Sequence, residues 1–378
     1  MARGSVFKRS GGWAYKVDTG FHPETGRRRQ KVKQGFRTKR EAELALAEVQ
    51  KTVIDGTVVS GTNLRVGEFL DEWLAGQEVR LRPTTHYSYV VAAGRVKHHL
   101  GRYKLQALTP MQIEKFYAEL LDHGGRTGAA LSPKTVRNTH VVLRRALADA
   151  ERLGLVARNA AAAARGPSVS RTEMMTWTSD QLKTFARVAE RSRMRHAFTV
   201  LATTGMRRSE VLGLRWRDVD FDAGQLAIVQ TVTAIEGKIV IGEPKTAGSR
   251  RTVYVHDATL RALRQQRQLQ AEERLSVGPG WSSDNDLVFR TELGDPVNPD
   301  WFSRHFDRLV AEADVPRIRL HDLRHTNATL SLKAGVHPKV VSERLGHSTI
   351  AITLDMYSHV TPGISREAAA TVETMMFD

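Results

Sequence analysis

Apolar and polar positions change rhythm several times along the chain, and each change predicts an element. From Trp13 to Asp18 ("WAYKVD") they alternate as in a strand. The stretch "HPETG" (His22 to Gly26) forms a turn, and "RRQKVKQ" (Arg28 to Gln34) returns as a second strand. Thr38 and Glu41 then make a capping box that opens an amphipathic helix carrying Ala42, Leu44, Ala45, Leu46 and Val49. Gly, Thr and Ser mark residues 52–63 as a linker. From Leu64 to Arg158 apolar residues recur at three and four through four runs, "VGEFLDEWL", "THYSYVVAAGRVKHHL", "TPMQIEKFYAELL" and "SPKTVRNTHVVLRRALADAERLGLV", which predicts a four-helix unit. On the last helix Ser132 is the N-cap with Pro133 at N1; Val136, Val141, Leu143 and Leu147 face a core, and Lys134, Arg137, Arg144 and Arg145 lie elsewhere.

The small-residue stretch "RNAAAAARGPSVSRTE" (Arg158 to Glu173) marks a second boundary. Beyond it the pattern mixes. Ser179 caps the helix "SDQLKTFARVAERS", "RHAFTVLATTGMRRSEVLGLRW" gives two helices broken at Gly205, and "QLAIVQT", "KIVIGE" and "RTVYVHD" read as strands. From Asp257 the chain is again mainly helical. The expected fold class is therefore multidomain, mainly α with small β-sheets (α+β), with segments at 1–51, 64–158 and 173–378.

Charge adds a partner to this outline. The formal net charge of the 378 residues is +16. Arg27 to Arg40, "RRRQKVKQGFRTKR", holds no acidic residue. Cations placed along a phosphate backbone release its condensed counterions, so such a balance favours nucleic acid. The residues expected to touch DNA are Arg27, Arg28, Arg29, Lys31 and Lys33 in the first segment, and Lys134 and Arg137 on the helical unit. A solvated hairpin and a purely structural bundle account for the same patterns. No cysteine is present, which removes disulfides, thiolate metal sites and thiol catalysis. The N-terminus lacks a signal-peptide core, and no stretch approaches the roughly 20 apolar residues of a membrane span, so the expected location is the cytoplasm.

The candidate chemistry centres on "HDLRHT" (His321 to Thr326). On a helix His321, Arg324 and His325 fall within an arc of about 100°. The two histidines have the spacing of a metal pair. Arg324, however, would repel a cation on that face, and it suits a forked grip on phosphate oxygens. Other fixed cations occur in the same segment. Arg207 follows the Gly205 break with Glu210 one turn on, and Lys245 sits in a polar turn between strand runs. His347 precedes Ser348, a plausible N-cap, so its ring is expected at a helix N-terminus, and Tyr357 falls near the end of that helix. Among cations a phenol of pKa about 10 becomes a usable nucleophile.

Four stretches, "TGMRRSE", "PKTAGSRR", "HDLRHT" and "LGHSTIAITLDMYSH", in this order and spacing, resemble the tyrosine recombinases, and within them the large integrases of temperate phages and integrative elements. The resemblance covers nearly the whole chain. It implies a catalytic set of Arg207, Lys245, His321, Arg324, His347 and Tyr357, supported by Glu210, Asp322 and His325, with no metal or nucleotide cofactor. It also implies an N-terminal arm-type DNA-binding domain, a helical core-binding domain of SAM-like type and a catalytic domain. The expected partners are double-stranded DNA attachment sites, three further copies of the chain in a homotetramer on two duplexes, and host DNA-bending and excision factors. The C-terminal "SREAAATVETMMF" is expected to exchange between neighbours, although an apolar edge covered within one chain would read the same. Two positions depart from the pattern: Asn327 replaces a bulkier or apolar residue, and "RNAAAA" lacks a proline after Asn159.

Overall fold

The structure is a computed structural model, and it describes residues 4–9, 11–21, 28–54, 63–125, 128–170, 174–244, 250–347, 349–357, 370 and 372–377. The chain divides into two units, Met1–Arg171 and Thr172–Asp378.

The first unit opens with an antiparallel sheet of β1 (Gly4–Arg9), β2 (Gly12–Phe21) and β3 (Arg28–Phe36) in that order. Tyr15 and Val17, on one face of β2, are buried against Leu46 of α1 (Lys39–Ile54). The expected capping box is formed: the Glu41 amide donates to Thr38 Oγ1 at 3.2 Å. Leu44, expected on the apolar face, is exposed. Strand β1 has no counterpart in the sequence reading, because Val6 and Phe7 stand alone among Gly, Ser, Lys and Arg. The predicted turn at His22 to Gly26 and most of the expected linker lie outside the described residues.

The helical part consists of α2 (Val66–Glu78), α3 (Pro83–Leu100), α4 (Pro110–His123), α5 (Pro133–Arg152) and the single turn α6 (Ala160–Ala163). Their apolar faces enclose a core that includes Phe69, Trp73, Val96, Ile113, Phe116 and Leu143. Ser132 caps α5 as expected, its Oγ accepting from the Thr135 amide at 3.3 Å. Val136, Leu143 and Leu147 are buried, but Val142 takes the place expected for Val141, which is exposed. The stretch after Arg158 is also more ordered than its composition implies. Asn159 caps α6 and donates from Nδ2 to the Arg144 carbonyl at 2.8 Å, and Ala161 is buried in the helical core.

In the second unit α7 (Ser179–Ala189), α8 (Arg195–Thr204) and α9 (Arg208–Leu212) precede the strands β4 (Val219–Asp220), β5 (Gln225–Ile228), β6 (Thr231–Ile235), β7 (Lys238–Gly242) and β8 (Arg251–Tyr254). These pair as a three-stranded sheet, β4-β5-β8, and a separate β6-β7 hairpin. Helices α10 (Asp257–Val277), α11 (Pro299–Glu312), α12 (Asp322–Lys333), α13 (Pro338–Leu345) and α14 (Ile350–Tyr357) follow. Thr178, not Ser179, caps α7, accepting from the Gln181 amide at 3.3 Å. An aromatic core of Trp177, Phe185, Phe198, Phe302 and Phe306 fixes α7, α8 and α11. Trp177 also reaches the segment that leads into α12, donating from Nε1 to the Pro316 carbonyl and from its amide to Thr326 Oγ1. The described part of the C-terminal stretch is helical and exposes Val372, Met375, Met376 and Phe377.

Candidate active site

Two glycines in left-handed conformation bring the candidate residues of the second unit together. Gly205 ends α8 at φ 65°, and a Cβ there would meet Leu345 Cδ2 at 2.5 Å. Gly346 ends α13 at φ 70°, and a Cβ there would lie 3.0 Å from the Arg251 side chain. Any other residue would be strained at either position and would crowd the Leu345 or Arg251 side chain. Their carbonyls serve as acceptors: Arg324 Nη1 donates to Gly205 O at 2.9 Å, and Arg207 Nη2 donates to Gly346 O at 3.3 Å. Arg207 and Arg324, 117 positions apart in the numbering, are thereby both tied to the turns flanking α8 and α13.

Glu210 holds the first of these arginines. Its carboxylate is 2% exposed and accepts from the Arg207 amide at 2.9 Å and from Arg207 Nη1 at 2.7 Å. Arg251 shares it, donating from Nη2 at 2.9 Å and from Nη1 at 3.2 Å, while its Nε donates to the Arg344 carbonyl at 2.8 Å. Burial pushes the Glu210 carboxyl up, but hydrogen bonds and charge from Arg251 and then Arg207 outweigh it and hold the group below the usual range. Arg344 extends the tie, donating to the carbonyls of Tyr254 and Thr203.

Arg324 is buried at 3% exposure on the first turn of α12. His321 precedes that helix and is exposed on one side, and His325 beneath it is buried, the two rings meeting edge-on at 5.1 Å. The protein crowding the inner side of the His321 ring, then the charges of His325 and Arg324, hold its pKa down to about 4. His325 is lowered too, first by burial. Asp322 does not face His321 as a ligand. It accepts from the Arg319 amide, Nε and Nη2 at 2.8, 3.0 and 2.8 Å, which makes it an orienting carboxylate at the helix start. Among the described residues no group of three His, Cys, Asp or Glu side chains stands close enough to share a metal ion.

His347 is half-buried three residues before α14, and Ser348, its expected cap, lies outside the described residues. Its Nδ1 meets Thr353 Oγ1 at 2.8 Å, which orients the ring from the buried side of α14. Burial first, then the charges of Arg324 and Arg207, hold its pKa down to about 4. These two arginines therefore act electrostatically on His347. Tyr357 closes α14, and only its backbone is described; Lys245, which the sequence puts after β7 and before β8, lies outside the described residues. Asn327 is half-buried and donates from Nδ2 to the Ala202 carbonyl in α8 at 2.8 Å, so the polar departure ties α12 to the same turn.

Of the cations expected to touch DNA, Lys33 is exposed on β3 with its ammonium 5.7 Å from the Phe36 ring centre. Lys134 and Arg137 are exposed on α5, Arg137 donating to the Pro167 carbonyl at 3.2 Å. Arg28, Arg29 and Lys31 lie on β3 with only their backbone described, and Arg27 is outside the described residues. Arg251 and Arg319 were not singled out by sequence. A signal for the first exists: Arg251 shares the inward side of β8 with Val253, which is 1% exposed, and an arginine in a core-facing strand position calls for a buried carboxylate.

With this geometry in hand, three sequence profiles match the chain: the phage integrase family over residues 176–363, an arm DNA-binding domain over residues 6–53 and a phage integrase N-terminal SAM-like domain over residues 66–121. A tyrosine recombinase XerC-like protein of Caldanaerobacter subterraneus subsp. tengcongensis is 28% identical, over 99% of this chain and 100% of its own length. Among solved structures, the Tn1549 transposon integrase in complex with a circular intermediate DNA matches at TM-score 0.67 and 20% identity, over 82% of this chain and 99% of that one. A lambda integrase tetramer bound to a Holliday junction matches at TM-score 0.61 and 18% identity, over 93% and 94%. The two structures, at these identities, speak for the fold. The chain belongs to the phage integrase family and is a tyrosine-type site-specific recombinase, with arm-binding, SAM-like core-binding and catalytic domains.

Proposed function

We propose that this recombinase cuts and rejoins duplex DNA at attachment sites through a 3′-phosphotyrosine on Tyr357, without metal or nucleotide, and so integrates or excises a phage or other mobile element. The observation that carries the reading is the tethering of Arg207 and Arg324 to the carbonyls of Gly346 and Gly205, beside a His347 held neutral by burial first and then by their charge. Two guanidiniums so placed suit the nonbridging oxygens of one phosphate, and they stabilise the added charge of a pentacoordinate transition state. His347 supplies a further hydrogen bond. Tyr357 Oη attacks phosphorus in line, the 5′-oxygen leaves with a proton from Lys245, and His321, neutral at working pH, takes the proton of the tyrosine. One phosphoester bond replaces another. A 5′-hydroxyl from a second duplex then reverses the step, exchanging strands with the bond energy retained.

The arm domain, with Arg27, Arg28, Arg29, Lys31 and Lys33, is assigned to distant arm sites, and the core-binding domain, with Lys134 and Arg137, to the DNA flanking the crossover. Four copies act on two duplexes, a reading supported by the lambda integrase described as a tetramer bound to a Holliday junction, and their exposed C-terminal apolar residues are assigned to contacts between copies. A host bending protein and an excision factor complete the set of partners, and the site of action is the nucleoid in the cytoplasm of a bacterial host. The deciding experiment incubates wild type and Tyr357→Phe with a nicked attachment-site duplex in EDTA. Wild type should give a detergent-resistant protein–DNA adduct and the variant none while still binding the duplex. Adducts from the variant, or none from wild type until metal is added, would sink the reading.

A further inference from the structure

A groove of about 850 Å³ in the second unit runs away from Arg207 and His321 along the segment that leads into α12. Its walls carry Arg208, Arg317 and Arg319 besides Arg207, and the carboxylate of Asp307 stands on the α11 side. None of these additional cations belongs to the catalytic set. They differ in how they are held. Arg208 Nη1 is committed to the Pro299 carbonyl and to Ser303 Oγ. Among the described residues Arg319 is held along one edge: Asp322 takes its Nε and Nη2, and the side chain remains 77% exposed. Asp322 itself is 3% exposed at the start of α12, so the carboxylate that grips this edge is held by its surroundings.

A guanidinium gripped along one edge by a buried carboxylate presents its remaining N–H groups in a fixed direction, which is the geometry of a preorganised phosphate contact. We infer that Arg319 is a second phosphate-binding residue, engaging a backbone phosphate adjacent to the scissile one on the DNA that enters this groove, with Asp322 as its positioning residue. The inference rests on the recombinase reading above. Asp307 repels an anion from the opposite wall and so restricts the phosphate to the Arg319 side. The groove lies between α11 and the approach to α12, so the contact would set the register of the strand at Arg207 and His321. Register is what keeps one phosphodiester, and not its neighbour, within reach of Tyr357.

The test is a double-perturbation cycle in the full chain. Duplexes carrying the crossover sequence receive one neutral methylphosphonate at a time around the scissile position, and binding is measured for wild type, Arg319→Gln and Arg319→Lys. Losing one phosphate contact should lower the slope of log K against log salt by about 0.9 in Arg319→Gln. At one flanking position methylphosphonate should weaken wild type and leave both variants unaffected. Arg319→Lys keeps a cation beside Asp322 and hence the fold, but a single ammonium cannot serve both partners in fork geometry. Additive losses at every flanking position, with an unchanged salt slope, would overturn the inference and leave Arg319 as no more than the partner of Asp322 at the start of α12. Covalent adduct formed in the same samples tests the recombinase reading separately, since adducts can form whether or not a flanking phosphate couples to Arg319.

Discussion

The helical part of the first unit and the candidate active site of the second are built by opposite means. In the helical part, Phe69, Ile113, Phe116 and Leu143 are buried by repeats of three and four that each helix carries in its own sequence. At the site, charged side chains are buried or half-buried, and three of them take a partner far along the chain: Arg324 takes Gly205, Arg207 takes Gly346 and Glu210 takes Arg251. Apolar burial is non-directional and tolerates substitution of similar volume, whereas a buried ion pair is costly to break because the survivor is left uncompensated. Stability in the first region is thus spread over many side chains, and at the site it is concentrated in a few.

The sharpest way to break this contrast is Glu210→Gln. Removing the carboxylate leaves Arg251 and Arg207 facing each other, with an expected cost of about 3–5 kcal/mol in chemical denaturation and loss of adduct formation. A variant that unfolds like wild type would show that the cluster is not concentrated there. Leu143→Ala in α5 should cost about 2–5 kcal/mol by transfer and cavity terms, while the rate of adduct formation in bound complexes stays near wild type. A fall in that rate equal to the one from Glu210→Gln would erase the distinction. Ser132→Ala, which removes the α5 cap, should cost about 1 kcal/mol by the same measurement.

Acid sharpens the comparison by a smaller amount. In the second unit His196 and His347 have pKa values lowered to about 4, first by burial, and His325 and His305 are lowered as well. In the first unit His140 is lowered, again first by burial. A histidine near 6.5 when unfolded and near 4 when folded takes up its proton in the unfolded chain first. Its contribution is therefore lost as pH falls from 6.5 to 4. Hydrogen exchange on the full chain should show the second unit losing protection before the first over that range. Equal losses in both units would contradict the assignment.

The same contrast governs what could be read from sequence. Periodicity found α2 to α5 because each helix announces its own core face. The errors there are local. Val141 shares its three-and-four spacing with Arg137, Arg144 and Arg145, which places it on the basic side and leaves the core to Val142. Leu44 is likewise flanked at four residues by Arg40 and Glu48. Thr178 outcompetes Ser179 as a cap because Gln181, three residues on, closes the box with it. At the site, resemblance supplied the candidate set, and the backbone brings Arg207, His321, Arg324 and His347 into one unit. Glu210, one turn from Arg207, was legible, but the distant partners were not, for a physical reason. The strand position of Arg251 calls for a buried carboxylate without saying which, and the one that faces it, Glu210, is 41 positions away.

The two carbonyl tethers also bear on how the protein is made. Arg324 reaches back 119 positions to Gly205, and Arg207 reaches forward 139 positions to Gly346. A chain still being synthesised carries Arg207 long before Gly346, His347 or Tyr357 exists, and domains generally complete folding only as whole units. A growing polypeptide whose arm and core-binding segments have already emerged could therefore occupy DNA without being able to nick it. On the proposed mechanism, cutting is withheld until Gly346 and the residues just beyond it have been synthesised.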